Sequence, residues 1–314
     1  MLAFPKGRIA LIGEPDRQVF KYLYRRLKQG LTWRWREAKV WMRPRLAIIR
    51  ISLPLPAKRK PHSLSRTLIV SLTSYPPRYA TLALTLRSLL RQTVKADRTI
   101  LWIAHDDFEL LPREVRNLQS RGLEIRLTDD TKSYNKILPT LDAFPEAYIC
   151  TADDDIYYWP TWLEELVDGA GDNGRVVPCH RAHEIAFGSD GTIKPYREWA
   201  FDVERRGESE RLFPTGVAGA LYPPGILSHA AGDRVAALNI CLYADDVWLY
   251  WIGRRNGARY RTVGRHRKLL IWPGSQVKSL WEKNGSGGND IQIRNMIDKY
   301  GFPADPIVSV LAEP

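Results

Sequence analysis

Between Thr67 and Asp155 this chain alternates short apolar, β-branched runs with segments of helical period, and the last apolar run ends in three consecutive carboxylates. Thr67 to Thr73, Thr99 to Ala104 and Glu124 to Thr128 have strand character, and Ala80 to Gln92 and Pro112 to Arg121 carry helical spacing between them. Strands alternating with helices are joined by crossovers, which place the strands parallel and the helices over the sheet. The expected fold is therefore α/β, a Rossmann-like, mostly parallel sheet flanked by helices. Ligands of such sheets bind at the carboxyl ends of the strands. Polar residues gather there: Ser74 to Arg78, Asp106 with Asp107, Asp129 and Asp130 with Lys132, and Asp153-Asp154-Asp155 after the run Ala147 to Thr151.

Three adjacent acids repel one another unless a cation lies among them. Asp153 and Asp155 are the simplest pair to offer oxygens to Mg²⁺ or Mn²⁺, which keeps waters and takes further ligands from substrate phosphates. The implied substrate is a diphosphate. The competing reading is a solvated acidic turn ahead of a helix opened by Pro160. Lys136 and Arg78 are expected to be further cations for the same phosphates, or else ordinary surface charges. Asp245-Asp246 opens the apolar segment Val247 to Ile252, so one acid can cap that helix while the other projects into the cleft. Asp246 is expected to be the base for an acceptor hydroxyl; the alternative is that both acids only cap.

The formal charge of +12 is unevenly spread: residues 1–66 hold 17 Lys/Arg against 3 Asp/Glu, and the other 248 residues hold 30 against 32. Within the basic part, Phe20, Leu23, Tyr24, Leu27 and Leu31 fall at helical spacing opposite Lys21, Arg25, Arg26 and Lys28, and Trp33, Trp35 and Trp41 follow. Such a helix suits an anionic membrane surface, with packing on the catalytic domain or on a second copy as the alternative. No nucleic acid is expected, because the remainder offers no basic stripe and no binding motif. A Pro- and Lys-rich linker from Pro54 to Ser65 sets the expected domains at 1–66, a basic extension, and 67–314. The chain has 44% apolar residues and 11 Trp, enough for a large core. Its three cysteines show no metal-binding spacing, and its start has no signal-peptide pattern. Both point to a reducing, cytoplasmic location, and the basic extension to a peripheral place on the membrane.

Thr85-Leu86-Arg87-Ser88-Leu89-Leu90-Arg91-Gln92-Thr93 resembles the first helix of family 2-type glycosyltransferases, and Thr151-Ala152-Asp153-Asp154-Asp155-Ile156-Tyr157 resembles their DxD element. Pro214 to Pro224 and Ala244 to Leu249 are similar to the donor-side glycine loop and late acidic motif of bacterial surface-polysaccharide glycosyltransferases. The resemblance spans about residues 67–300. It departs from the family's pattern in Ser74-Tyr75-Pro76-Pro77-Arg78 and in His105-Asp106-Asp107.

The resemblance implies a GT-A fold, a nucleotide-sugar donor, a glycan or lipid-linked glycan acceptor and a metal on Asp153 and Asp155. Catalysis would fall to Asp246 with Asp245, and donor binding to Ser74, Arg78, Asp106, Lys136, Asp154 and Gly219. Gly216 and Gly219 would either allow close approach to a sugar or only form a turn. His180, Arg181 and Trp248 are candidates for the acceptor or sugar, with surface or core positions as the alternative. Gly285 to Gly288 reads as a lid ahead of a helix over Asn289 to Lys299. Inversion is favoured, since a late Asp suits single displacement. The rivals are a Mg²⁺-dependent nucleotidyl or phosphoryl transferase and a non-catalytic, membrane-bound scaffold.

Overall fold

A computed structural model describes residues 41–53, 59–205, 207–228, 234–275 and 287–303. The expected amphipathic segment Phe20 to Leu31, with Trp33 and Trp35, lies outside these residues, as do two of the four residues of the expected lid at Gly285 to Gly288. The chain divides into two compact units, Met1–Arg50 and Ile51–Pro314.

Residues 41–52 form a helix, α1. Its exposed Met42, Leu46 and Ile49, together with Leu53 just beyond it, share one side, a sector of about 60° at roughly 100° per residue. Arg45 borders that stripe on one flank and Arg43 and Arg50 on the other. Ala47 and Ile51, on the opposite side, are buried.

The second unit begins with β1 (Lys60–Pro61), β2 (Leu68–Thr73), α2 (Tyr79–Leu89), β3 (Val94–Lys95), β4 (Arg98–Ala104), α3 (Arg113–Arg116) and β5 (Leu123–Thr128). It continues with α4 (Leu138–Ala143), β6 (Tyr148–Thr151), α5 (Trp162–Gly169), β7 (Val176–Cys179), β8 (Ala182–Glu184), β9 (Leu212–Pro214) and β10 (Ala220–Tyr222). The described elements end with α6 (Arg234–Ile240), α7 (Asp245–Arg255), β11 (Arg259–Thr262) and α8 (Asn289–Tyr300). β1 pairs with β3, which joins Lys60 and Pro61 to this unit.

Seven strands form the central sheet in the order β11-β7-β10-β6-β2-β4-β5. β2 runs parallel to β4 and β6, β4 parallel to β5, and β7 parallel to β11; β10 alone is antiparallel to its neighbours β6 and β7. The fold is thus a Rossmann-like mixed α/β sheet flanked by helices. Alternate residues feed two cores, as a two-residue side-chain period requires. Leu68, Val70, Leu72, Tyr148, Cys150 and Leu221 pack with α2 and α5, whereas Ile149, Ala220 and Tyr222 pack with α7 and α8.

The helix expected over Pro112 to Arg121 is shorter: α3 gives way to a 3₁₀ turn over Asn117–Arg121 that ends at Gly122, whose φ is +96°. There Gln119 Nε2 and Ser120 Oγ donate to nearby carbonyls, the local competition that disfavours a continued α-helix. Pro160 does not open α5, which starts at Trp162. The carbonyl of Pro160 instead accepts from the Thr93 amide at 2.8 Å.

Candidate active site

The strand order reverses at β2: the chain first builds outward through β4 and β5, then returns to lay β6 on the other side of β2. The switch point lies between the parallel strands β2 and β6, and the crevice beyond the carboxyl ends of such strands is where doubly wound sheets take ligands. β2 runs into Ser74 and Arg78, and β6 runs into Asp153, Asp154 and Asp155.

Each acid of the triplet has its own partner. Ser74 Oγ donates to Asp154 Oδ2 at 2.6 Å, Arg78 donates to Asp155 Oδ2, and Lys136 Nζ donates to Asp153 Oδ1 at 3.0 Å. Lys136 ends a 3₁₀ turn over Lys132–Lys136, and its ammonium also pairs with Asp245 Oδ2 at 2.9 Å. Asp245 and Asp246 fill the first turn of α7, whose end has no side-chain cap. Asp246 Oδ1 accepts from the Gly216 amide at 2.9 Å. A methyl group on Gly216 would stand 2.7 Å from that oxygen and 3.1 Å from Lys136 Nζ, so this glycine leaves room for the ion network.

The backbone of the triplet is held from several sides. Thr85 Oγ1 donates to the Asp154 carbonyl at 2.8 Å and accepts from Trp272 Nε1, while the Trp272 amide donates to the Asp155 carbonyl at 2.9 Å. The Asp153 amide donates to the Tyr158 hydroxyl at 2.7 Å.

Burial sets the protonation of these groups. It pushes Asp154 up to about 7 in spite of the Ser74 hydrogen bond. Burial and then the charge of Asp245 push Asp246 up to about 7 as well. Asp155 is raised by burial and by Asp153, with Arg78 opposing. Burial alone would lower Lys136, but Asp153, Asp245 and Asp246 outweigh it and hold the ammonium well above its usual value. The result is one fixed cation bridging two acid clusters, with two carboxyls poised near neutrality.

Among the described residues no three carboxylate, imidazole or thiol groups converge as a ready-made metal cage. A hydrated Mg²⁺ or Mn²⁺ shared with phosphates needs only one or two carboxylates. Asp153, whose side chain is 29% exposed and spends one oxygen on Lys136, fits that part. Asp155 fits less well than expected, because its 7% exposed carboxylate is turned onto Arg78.

Other expected residues separate into near and far. Arg181 lies beside the glycine turn, its Nη1 donating to Thr215 Oγ1 at 2.9 Å. Asp106 is exposed on the turn after β4 and has no bond to the triplet among the described residues. Gly219 does not open space for a donor: its φ is +94°, and a Cβ there would strike Trp162 at 2.5 Å. Its role is to let the turn lie flat on that buried indole. Trp248 is not a sugar platform, since it is fully buried in the core under α7 with its ring edge-on to Tyr134. His180 likewise turns inward; its side chain is 2% exposed, Nε2 meets the Trp162 carbonyl at 2.9 Å, and burial lowers it to about 4.

Two residues escaped the sequence reading. Burial, and then the charge of Asp246, raise the phenol of Tyr196, which also hydrogen-bonds Asn289. Asn289 opens α8 and keeps a buried Oδ1 with no hydrogen-bond partner. A cavity of about 500 Å³ opens beside Tyr196, between residues 193–197 and the first turns of α8. Only the Asn-Asp start of the last helix hinted at this in the sequence.

No family model matches the sequence, and no curated protein matches it. Among solved structures, 4-diphosphocytidyl-2C-methyl-D-erythritol synthase from Anaerococcus prevotii DSM 20548 is similar at 13% identity, over 72% of this chain and 95% of that one, with a TM-score of 0.44.

Proposed function

We propose that this chain is a GT-A-type glycosyltransferase that moves a sugar from a nucleotide-diphosphate donor to a hydroxyl of a glycan or lipid-linked glycan. The observation that carries the reading is Lys136, which ties the acidic triplet at the end of β6 to the acid pair on α7 and so brings a diphosphate site and a base into one crevice. Asp246, with a pKa of about 7, takes the acceptor proton as the acceptor oxygen bonds to the sugar carbon. The bond from that carbon to the diphosphate breaks, and Arg78 and Lys136 stabilise the departing charge. A Mg²⁺ or Mn²⁺ on Asp153 would add Lewis-acid stabilisation of the same leaving group. Tyr196 and Asn289 would orient the acceptor in this reading, and attack on the face opposite the departing diphosphate would invert the sugar carbon.

A panel of nucleotide sugars, incubated with Mn²⁺ and assayed for release of nucleoside diphosphate, tests this reading. Turnover should fall about 10² to 10⁴-fold in Asp246→Asn. The second reading, nucleotidyl transfer, is favoured by the two cations lodged in the triplet, which suit a triphosphate and need no base. Release of pyrophosphate from a nucleoside triphosphate and a sugar phosphate, with no nucleoside diphosphate formed from any donor, would establish it instead.

The basic N-terminal part is proposed to hold the enzyme on an anionic membrane surface. The apolar stripe of α1 between flanking arginines supports this, because such a helix can lie in the interface with its cations at the headgroups. No helix among the described residues is long and apolar enough to cross a membrane.

A further inference from the structure

A second charged feature lies away from the acidic crevice. A cavity of about 290 Å³ is lined by Arg59, Arg87, Leu90, Arg91, Leu118 and Arg121. Its position follows from the connectivity. α2 leaves the carboxyl end of β2 and returns to the opposite edge of the sheet, so Arg87, Leu90 and Arg91 in and beyond its last turn lie at the amino ends of the strands. Leu118 and Arg121 precede β5 at that same edge, and Arg59 directly precedes β1.

The guanidinium groups around this small cavity are not all neutralised. Arg87 reaches Glu114 at 3.6 Å, but that carboxylate is 72% exposed. Arg91 donates to the Leu53 carbonyl at 2.9 Å. Neither Arg59 nor Arg121 makes a side-chain hydrogen bond or ion pair among the described residues. Burial, and then the charge of Arg91, lower the pKa of Arg59. Helix dipoles account for part of the cluster, since Arg87 and Arg121 stand in last turns that favour cations. They do not account for Arg59, which belongs to no helix. Arginine forks match phosphate oxygens two at a time, and the apolar floor of Leu90 and Leu118 strengthens such bonds by excluding water.

We propose that the cavity formed by Arg59, Arg87, Arg91 and Arg121 is an anion site that binds a phosphate-bearing group, either the headgroup of a lipid or a free phosphate or diphosphate. Occupancy would put an anion contact on the side of the sheet opposite the transfer chemistry. Arg59 and Arg121 then gain a counter-ion that no described residue supplies.

The test uses the full chain at low salt with chelator present. Calorimetry with inorganic phosphate and with pyrophosphate probes the soluble source, and sedimentation with phosphatidylglycerol against phosphatidylcholine vesicles probes the lipid source. The acidic crevice can also attract diphosphate through Arg78 and Lys136, so the readout is the component that depends on the arginine cavity. In Arg59→Gln/Arg121→Gln the affinity for at least one probe should drop about ten-fold or more, while Arg59→Lys/Arg121→Lys should keep most of it. Loss confined to the soluble anions identifies a free phosphate ligand, and loss confined to vesicles identifies a headgroup. Affinities unchanged by the glutamine pair, or no binding of any of these probes by the parent chain, would overturn the proposal. Matching thermal unfolding of the two double variants separates a binding defect from a folding defect.

Discussion

Replacing Lys136 by Met should both destabilise the protein and make its stability strongly dependent on pH. The side chain is 7% exposed and its ammonium sits 3.0 Å from Asp153 Oδ1 and 2.9 Å from Asp245 Oδ2. Methionine fills a similar volume, so little of the effect comes from packing. What remains are carboxylates that have lost their shared cation, and breaking a buried pair in this way costs about 3–5 kcal/mol. Proton uptake can relieve part of that cost. Asp246 already has a pKa of about 7, and Lys136 is one of the groups holding it down, so the substitution raises it further. A carboxyl whose folded pKa is raised contributes stability at low pH and loses it as pH rises through the folded value. The gap between variant and parent should therefore be widest near pH 8 and narrow towards pH 5. Urea unfolding of both proteins at the two pH values measures this directly. A loss below about 1 kcal/mol at pH 8, or an equal loss at both, would show that Lys136 is not the bridge between the two acid clusters.

Further outcomes follow from the same geometry. Gly219→Ala combines a backbone angle that side chains avoid with a clash against buried Trp162, and should cost about 2–5 kcal/mol in urea unfolding; a loss under about 1 kcal/mol would mean that the turn relaxes freely. If Asp246 is the base, turnover should fall about ten-fold per pH unit below its pKa of about 7, and an Asp246→Asn variant with a parent-like rate would remove it from that role. Between pH 8 and 6.5 the parent should gain thermal stability on acidification, because Asp154 and Asp246 both have raised pKa values of about 7, and the gain should shrink in Asp246→Asn. His180→Gln and Trp248→Phe should affect stability but leave the acceptor KM unchanged, since both side chains are packed inward; a raised KM with normal folding would return them to the site. A chain starting at Ile51 should lose salt-sensitive binding to anionic vesicles while still binding nucleotide, and unaltered vesicle binding would place the membrane contact elsewhere.

The parallel half of the sheet was legible in the sequence because its signals are local. β2, β4, β5 and β6 start within one residue of the expected positions and end as expected, since each is an apolar, β-branched run cut off by polar residues. The acids at the end of β6 stood out for the same reason, since three consecutive carboxylates follow directly on a short apolar run. Local pattern could also place Asp245 and Asp246 at a helix start. It could not show that Lys136, from the turn after β5, would stand between Asp153 and Asp245, because that meeting depends on β6 lying beside β2 while α7 packs over the opposite core. The antiparallel insertion of β10 between β6 and β7 was equally invisible, since three residues, Ala220–Tyr222, carry no record of their neighbours' direction. Trp248 and His180 show the limit most clearly. Each stands next to residues of the crevice in the sequence, but helix phase and strand pleat turn both side chains into the interior, where tertiary packing supplies their partners. The sequence alone determined the alternation of strands and helices, the strand that ends in acids and the basic N-terminal extension, because these depend on residues close together in the chain. Which charges meet, which aromatics are covered and which arginines share a cavity were decided only when distant segments packed, because burial and pairing belong to neighbours in space.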